Sequence, residues 1–148
     1  ELLRRRPELI PAAVEEMLRI DAPFQLNLRY VTEDVEVADV QVEAGSLVRQ
    51  ALGSANRDAE RWPDPGAFIV ERPAQFFFSC CGGHRDLLAA PLACPTRQVV
   101  VETLLRRLPA LRLADPSAPP DMRADITNRN LTRLPLAFDP VSDPAPAG

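Results

Sequence analysis

The sequence predicts an α+β fold in which two amphipathic helices flank a region of short β-strands. Three observations point to this class: apolar residues at helical spacing near the start, period-two alternation in the following third, and a second helical stripe further on. At 148 residues the chain is long enough for one small domain with a buried core. We expect that domain to cover residues 1–138, with a disordered Pro/Ala tail over residues 139–148.

The first helix is predicted over about residues 11–20, with Pro11 tolerated in its first turn. Its apolar stripe, with residues at i, i+3, i+4, i+7 and i+8, consists of Ile10, Ala13, Val14, Met17 and Leu18. Glu16 and Arg19 lie three apart on this helix. From the spacing alone, this pair is predicted to be solvated on the helix surface. An ion pair of that kind stabilises a helix by about 0.2–0.5 kcal/mol.

A β-hairpin is predicted inside residues 29–51, where the periodicity changes to two. Its alternating apolar residues are Val35, Val37, Val40 and Val42. Ala38-Asp39 provides the turn, and Ala44-Gly45 provides a second break.

The second helical stripe predicts a helix that ends before Pro109. It consists of Val100, Val101, Leu104, Leu105 and Leu108. The proline-rich residues 116–120 indicate a loop, and residues 131–138 indicate one closing strand.

Composition excludes several classes of function. With 17 basic and 21 acidic residues, the formal charge of −4 gives no basic surface for nucleic acid or anionic membranes. No run of eighteen apolar residues and no signal-like start is present, so a cytoplasmic location is expected. The three cysteines make neither a disulfide framework nor a zinc-binding pattern, so no metal ligands are predicted. Lysine-free, arginine-rich usage is typical of a high-GC, actinobacterial genome.

One segment has features of a cofactor loop: Phe77-Phe78-Ser79-Cys80-Cys81-Gly82-Gly83-His84-Arg85-Asp86-Leu87. The two glycines let a backbone pass close to a flat cofactor, and Arg85 offers a guanidinium group to a carboxylate. The segment resembles the cytochrome P450 signature, Phe-x-x-Gly-x-Arg/His-x-Cys-x-Gly followed by Ala-Pro-Leu-Ala. Gly83 matches the signature glycine, Arg85 matches the arginine that pairs with a haem propionate, and residues 90–93 match the following helix.

The same register assigns Leu87 to the position of the axial cysteine. A leucine side chain has no lone pair to give iron, so thiolate chemistry is not expected. Cys80 and Ala89 also depart from the signature, and Pro95 falls inside the helix that follows, where it removes a hydrogen bond or causes a kink. His84 is a candidate for an iron ligand, through a ring nitrogen, although the simpler interpretation is a partly exposed polar residue.

Two further motifs resemble the same family in the expected order. Glu16-x-x-Arg19 matches the Glu-x-x-Arg of the K helix, and Arg72, arriving after Trp62-Pro63-Asp64-Pro65, matches the meander arginine that completes a structural triad. Arg29 matches a second propionate-binding arginine. Ser54-Ala55-Asn56-Arg57-Asp58 matches the family's Ala-Asn-Arg-Asp, which opens a short helix, so the resemblance implies a helix here with Asn56 or Ser54 as its N-cap. The resemblance implies the C-terminal part of a P450 fold: K helix, β-hairpin region, meander, cofactor loop, L helix and closing strands. We therefore expect a C-terminal portion or a truncated product.

The resemblance leaves three functions open. The leading hypothesis is a haem-free P450-like helper, without cofactor or chemistry of its own, that binds and activates a deoxysugar glycosyltransferase of antibiotic biosynthesis. Its haem-site residues, Arg29, Gly83, His84, Arg85 and Leu87, would then be vestigial. The alternatives are a haem-dependent monooxygenase with a divergent loop and an inactive fragment.

Overall fold

The computed structural model describes residues 1–73, 75 and 84–139, and for residues 84–94 it describes the helical backbone but not the side chains. The helices are α1 (Leu2–Arg5), α2 (Ile10–Ile20), α3 (Leu52–Ala55) and α4 (His84–Arg107), with a 3-10 turn over Pro7–Leu9 between α1 and α2. The strands are β1 (Leu26–Tyr30), β2 (Val35–Val37), β3 (Val40–Val42), β4 (Leu47–Ala51), β5 (Arg112–Leu113), β6 (Asp121–Met122), β7 (Leu131–Arg133) and β8 (Leu136–Ala137). The α+β prediction is confirmed.

Helix α2 forms where the apolar spacing predicts it, and it buries the predicted stripe except for Met17, which is 39% exposed. Ile10, Val14 and Leu18 form the core cluster of this helix. Leu3, Val101 and Leu105 pack against that cluster from α1 and α4. Arg4 supports the same arrangement, because its guanidinium group donates to the backbone carbonyls of Leu105 and Leu108 at the C-terminal end of α4. The core therefore joins α1 and α2 to the C-terminal half of α4.

The β-region consists of two-stranded antiparallel sheets. Strand β1 pairs with β4, and the β2–β3 hairpin extends beyond them. The hairpin turn lies at Ala38 and Asp39, as predicted, and both residues have positive φ angles, 49° and 62°. Two successive positive φ angles are the geometry that follows the right-handed twist of a tight hairpin. Gly45 marks the second break with a φ of 84°.

The short helix after β4 begins earlier than predicted. Helix α3 starts at Leu52, directly after β4, and Asn56 is at its C-cap rather than at its N-cap. The physical reason is burial: Leu52 is 3% exposed, so packing of this side chain starts the helix without a polar cap. The prediction that Ser54 or Asn56 caps the N-terminus is therefore wrong.

Helix α4 has 24 residues and ends before Pro109, as predicted. It continues through Pro95, so this proline does not end the helix. In the described part of the chain, no helix has the length and apolar character needed to cross a membrane.

The closing segment is two strands rather than one. Strand β7 pairs with β6, whereas β8 pairs with β5. Pro135 separates them, and because proline has no N–H to donate, a continuous strand ladder is interrupted there. The predicted loop at 116–120 lies between β5 and β6. Of the predicted tail, Asp139 is described, and its backbone N–H donates to the carbonyl of Pro109 at 3.0 Å. Residues 140–148 lie outside the described residues.

Candidate functional site: a buried carboxylate with two guanidinium groups

The structure brings together the three residues of the predicted triad, which we call the Glu16 cluster: Glu16, Arg19 and Arg72. Helix α2 presents Glu16 and Arg19 on the same face, since residues three apart are neighbours on a helix. Arg72 arrives from the irregular segment that follows α3. The side chains of all three are less than a tenth exposed, at 5%, 1% and 7%. The cluster is therefore inside the protein, not on a solvated helix face.

Glu16 and Arg19 form a two-point ion pair. Arg19 Nε donates to Glu16 Oε2 at 2.7 Å, and Arg19 Nη2 donates to Glu16 Oε1 at 2.8 Å. Paired parallel bonds of this kind are among the strongest hydrogen bonds in proteins, because donor and acceptor are both charged and the planar groups match in shape. The pair fixes the orientation of both side chains on α2.

Arg19 also holds the segment 56–67 by its backbone. Its Nη1 donates to the carbonyls of Asn56 at 2.7 Å and Pro65 at 3.0 Å, and its Nη2 donates to the carbonyl of Ala67 at 3.2 Å. With the two bonds to Glu16, these contacts match the five N–H groups that an arginine carries. A fully buried guanidinium group is thus fully hydrogen-bonded, which is what its burial requires.

Arg72 completes the cluster from the other side. Its Nε donates to Glu16 Oε1 at 3.2 Å, and its terminal nitrogens donate to the carbonyls of Pro63 at 2.6 Å, Asp64 at 3.2 Å and Ala67 at 3.4 Å. Glu16 Oε1 accepts in addition the backbone N–H of Ile69 at 3.0 Å. One carboxylate thus stands opposite two guanidinium groups, and backbone carbonyl dipoles surround the second positive charge.

Trp62 lies against the cluster and is 2% exposed. The Arg19 guanidinium carbon lies 5.1 Å from the centroid of its ring, and that of Arg61 lies 5.7 Å from it. Both distances are within the range of cation–π attraction, which is stronger for a desolvated cation. The indole ring therefore supplies a negative face to the buried charge.

The electrostatics of the cluster keep Glu16 ionised. Burial is the largest single influence and favours the neutral acid, but hydrogen bonds from Arg19, from the Ile69 backbone and from Arg72 together outweigh it. The pKa of the Glu16 carboxyl consequently lies below its usual value. Since its carboxylate stays charged and engaged at neutral pH, the cluster has no proton to exchange and works as a structural joint between α2 and the segment 56–72.

Of the five residues of the predicted haem site, the structure describes the side chain of Arg29 only. Arg29 lies on β1, is half-buried, donates to the carbonyl of Leu28 at 3.0 Å, and forms no ion pair within the described residues. Gly83 lies outside the described residues. His84, Arg85 and Leu87 lie in the first turns of α4, and their side chains also lie outside the description.

The donor set does not fit a thiolate-ligated haem. Position 87 lies inside α4, three residues after the helix begins, and leucine offers no lone pair in any conformation. Among the described side chains of the predicted haem site, Arg29 suits the group, because a guanidinium group that forms no ion pair within the described residues can bind a carboxylate. Across the residues that the structure describes, no group of three or more His, Cys, Asp or Glu residues is placed to hold a metal ion.

Comparison with known proteins gives the family. The cytochrome P450 family model matches residues 4–75, which include the whole Glu16 cluster. The biotin biosynthesis cytochrome P450 of Bacillus subtilis is 39% identical over 113 residues, which cover 76% of this chain and 29% of that protein. The 6-deoxyerythronolide B hydroxylase of Saccharopolyspora erythraea is 36% identical over 138 residues, covering 93% of this chain and 34% of that protein.

Solved structures agree with this. P450BioI bound to an acyl carrier protein matches with a TM-score of 0.85 and 36% identity, over 93% of this chain and 35% of that one. The tirandamycin C-bound P450 monooxygenase TamI matches with a TM-score of 0.85 and 38% identity, over 94% of this chain and 35% of that one. This chain belongs to the cytochrome P450 superfamily. It spans about a third of the length of the relatives it matches, and its architecture is that of a C-terminal portion of the P450 fold.

Sequence reasoning found the charged residues of the cluster but missed what surrounds them. Trp62 was used only as a marker of the segment before Arg72, although it forms one wall of the cluster. The Arg61-Trp62 neighbours were a usable signal, because an arginine beside a tryptophan is a frequent cation–π arrangement. The backbone carbonyls of residues 56–67 carry no sequence signal, since every residue has one.

Proposed function

We propose that this P450-superfamily chain is part of a non-catalytic auxiliary protein that binds no haem and activates a deoxysugar glycosyltransferase of antibiotic biosynthesis. The observation that carries the proposal is a contrast within the chain. The Glu16 cluster, which stabilises the fold, has Glu16 bonded to both arginines, whereas the position of the axial ligand holds Leu87. A protein whose scaffold is intact and whose iron ligand is missing is suited to act through its surface.

The biosynthetic setting draws support from the relatives. One is named for the hydroxylation of 6-deoxyerythronolide B, and a solved structure with 32% identity and a TM-score of 0.83 is a hydroxylase involved in himastatin biosynthesis. These activities are those of the relatives. For this chain they support a place in the biosynthesis of natural products, where a glycosyltransferase is a fitting partner.

The first experiment is an absorption spectrum of the protein as its own cells produce it, with a haem precursor supplied during growth. We expect protein absorbance without a Soret band, before and after reduction under carbon monoxide, because residue 87 cannot ligate iron. A Soret band at one haem per chain would overturn the haem-free part of the proposal.

The second experiment tests the auxiliary role directly. A deoxysugar glycosyltransferase encoded beside this gene is produced with and without the chain, and its soluble activity is measured. We expect activation with the native chain and with Arg129→Gln, whose exposed ion pair is dispensable. Activation should be lost with Arg19→Leu, which removes the buried cluster. Equal transferase activity with and without the native chain would contradict the auxiliary role. If the protein also binds no haem, the remaining interpretation is an inactive fragment.

A second candidate function is haem-dependent monooxygenation, favoured by the hydroxylases and monooxygenases among the relatives. It requires an iron ligand other than residue 87, and His84 is the nearest nitrogen donor in sequence. If a Soret band is found, His84→Gln should abolish it, whereas Arg29→Gln should weaken haem retention without changing the band position. A band that survives His84→Gln would exclude this ligand.

A further inference from the structure

The β2–β3 hairpin has an exposed apolar face. Val35 lies opposite Val42 in the strand register, and Val37 lies opposite Val40. Residues directly opposite each other project from the same side of an antiparallel pair, as do residues two apart along one strand, so the four valines share one face. Val35, Val37 and Val40 are 41%, 58% and 61% exposed, and Val42 is half-buried. We call this cluster the valine face.

The hairpin is held in shape by contacts of its own. Within the described residues it forms a two-stranded sheet, without a third strand. Asp34 Oδ1 accepts the backbone N–H of Ala44 at 2.8 Å across the base, and Gln41 Nε2 donates to Glu36 Oε2 at 2.5 Å. A single exposed valine is ordinary, but a cluster of apolar side chains surrounded by polar groups is typical of an interaction site. The valine face is thus presented in a defined conformation.

The charge around the valine face is entirely acidic. From residue 30 to residue 48 the sequence contains no lysine, arginine or histidine. The same stretch has five acidic residues, all exposed: Glu33, Asp34, Glu36, Asp39 and Glu43. None of the five forms an ion pair with another described residue. A partner with basic side chains around an apolar centre would supply the opposite charges, and complementary potentials favour its association.

The same charge disfavours other occupants of the valine face. Two copies of the hairpin meeting face to face would bring their acidic residues together, and like charges across an interface oppose binding. Nucleic acid and anionic membranes would be repelled for the same reason. A basic protein segment fits both the apolar and the acidic parts of this surface.

We propose that the valine face is a docking surface for a basic protein segment. Apolar side chains of that segment cover Val37 and Val40 at the centre of the face, and its lysine or arginine side chains pair with the surrounding carboxylates. Burial of the valines supplies affinity, and the charges select the partner. The inference goes beyond the proposed function, because it does not depend on whether the protein binds haem or activates a transferase.

The test uses the protein as its own cells produce it and three fluorescently labelled synthetic peptides of equal length. The first peptide alternates valine with arginine, the second serine with arginine, and the third valine with glutamate. Fluorescence anisotropy measures binding. We expect saturable binding of the valine–arginine peptide alone, weakened by added salt because salt screens exposed charges.

Three results with these peptides would overturn the proposal. The first is no binding of the valine–arginine peptide to the native protein. The second is equal binding of the serine–arginine peptide, which would show charge attraction without apolar contact. The third is equal binding of the valine–glutamate peptide, which would show apolar adhesion without selection by charge.

A matched pair of variants locates the binding. Val37→Thr combined with Val40→Thr keeps two β-branched side chains, which suit strands, but makes the centre of the valine face polar. We expect this double variant to bind the valine–arginine peptide about tenfold more weakly. Leu131→Thr makes a similar change at an exposed position of β7 and should leave binding unchanged. Thermal unfolding of each variant checks that it is folded.

The variants also identify a wrong occupant or a wrong site. Equal peptide binding by the native protein and the double variant would place the interaction elsewhere and overturn the proposal. A dimer of the native protein in sedimentation that the double variant does not form would also overturn it, because the occupant would then be a second copy.

Discussion

A buried and an exposed arginine–carboxylate contact of similar length, chosen from the described residues, can be compared directly. In the Glu16 cluster, Arg19 Nε lies 2.7 Å from Glu16 Oε2, with both side chains almost completely buried. At the surface, Arg129 Nε lies 2.6 Å from Asp21 Oδ1, with side chains that are 50% and 57% exposed. The surface pair is the shorter contact. Nevertheless we expect it to contribute far less to the free energy of unfolding.

The difference teaches that distance alone does not rank ion pairs. Solvent screens the Arg129–Asp21 pair, and both side chains lose rotamer freedom to form it. Removing one partner of the buried pair leaves a charge in a poorly polarisable interior, where its desolvation is no longer compensated. The cluster therefore acts as a unit in which each member depends on the others.

The largest expected effect comes from Arg19→Leu. The substitution leaves Glu16 buried with fewer donors and releases the carbonyls of Asn56, Pro65 and Ala67. We expect a loss of about 3–5 kcal/mol in the free energy of unfolding, measured by urea denaturation. Arg5→Leu is the control, because the Arg5 side chain is 79% exposed and its removal should change little. A loss below about 1 kcal/mol for Arg19→Leu would contradict the expectation that the buried pair contributes far more to stability than the exposed pair.

Arg72→Lys should have an intermediate effect. Lysine keeps the positive charge but replaces the planar fork with one ammonium group, which cannot reach Glu16 and the carbonyls of Pro63 and Asp64 together. We expect a loss of about 1.5–3 kcal/mol in the same denaturation experiment. A variant as stable as the native chain would show that charge, rather than the hydrogen-bond geometry of Arg72, is what the cluster requires.

The third prediction concerns acid. Because the pKa of Glu16 is lowered in the folded protein, its contribution to stability is present above the unfolded-state pKa of about 4.3. That contribution is lost as the pH falls through the lower, folded value. The free energy of unfolding should therefore decrease from about pH 4.3 downward, and Glu16→Gln should flatten this dependence.

Exposed carboxyl groups also contribute to the decrease in the free energy of unfolding at low pH, so their contribution needs a control. The pKa of Asp125 is also lowered, mainly by hydrogen bonds from Thr127 and Asn128. Asp125→Asn separates that turn from the cluster, since it should leave the slope due to Glu16 in place. Identical pH profiles for the native chain and Glu16→Gln would assign the acid response to surface groups.

Arg129→Gln is expected to have the smallest effect. The exposed pair with Asp21 should contribute less than about 1 kcal/mol at low ionic strength, and less again at high salt. Thermal unfolding at two salt concentrations measures both. A loss as large as that of Arg72→Lys would mean that exposure is a poor guide to the strength of ion pairs in this fold.

The sequence was most informative where periodicity and motif order agreed. Helical spacing located α2 and the end of α4, and the alternation of valines located the β2–β3 hairpin with its turn at Ala38 and Asp39. The Glu16–Arg19 spacing alone predicted a solvated pair. The order of the Glu16-x-x-Arg19 and Arg72 motifs indicated a structural triad instead, and in the structure the three side chains are buried.

The errors occurred where tertiary packing overrode local signals. Helix α3 starts at Leu52 because that side chain is buried, and its N-cap residue forms no side-chain hydrogen bond that the sequence could have indicated. The closing segment divides at Pro135 because β7 and β8 have different partners, and strand pairing cannot be read from one segment. Trp62 was missed because its role depends on Arg19, which lies 43 positions earlier in the chain.

The hydrogen bonds from Arg19 and Arg72 to residues 63–67 determine which sequence changes this segment can accept. The hydrogen bonds from Arg19 and Arg72 to this segment go to the backbone carbonyls of Pro63, Asp64, Pro65 and Ala67. What the cluster specifies is therefore a backbone path, including the left-handed φ of 49° at Asp64. Most side chains of residues 63–67 can therefore be substituted while the backbone conformation is kept. The surface of this segment can then acquire a binding partner without loss of the fold.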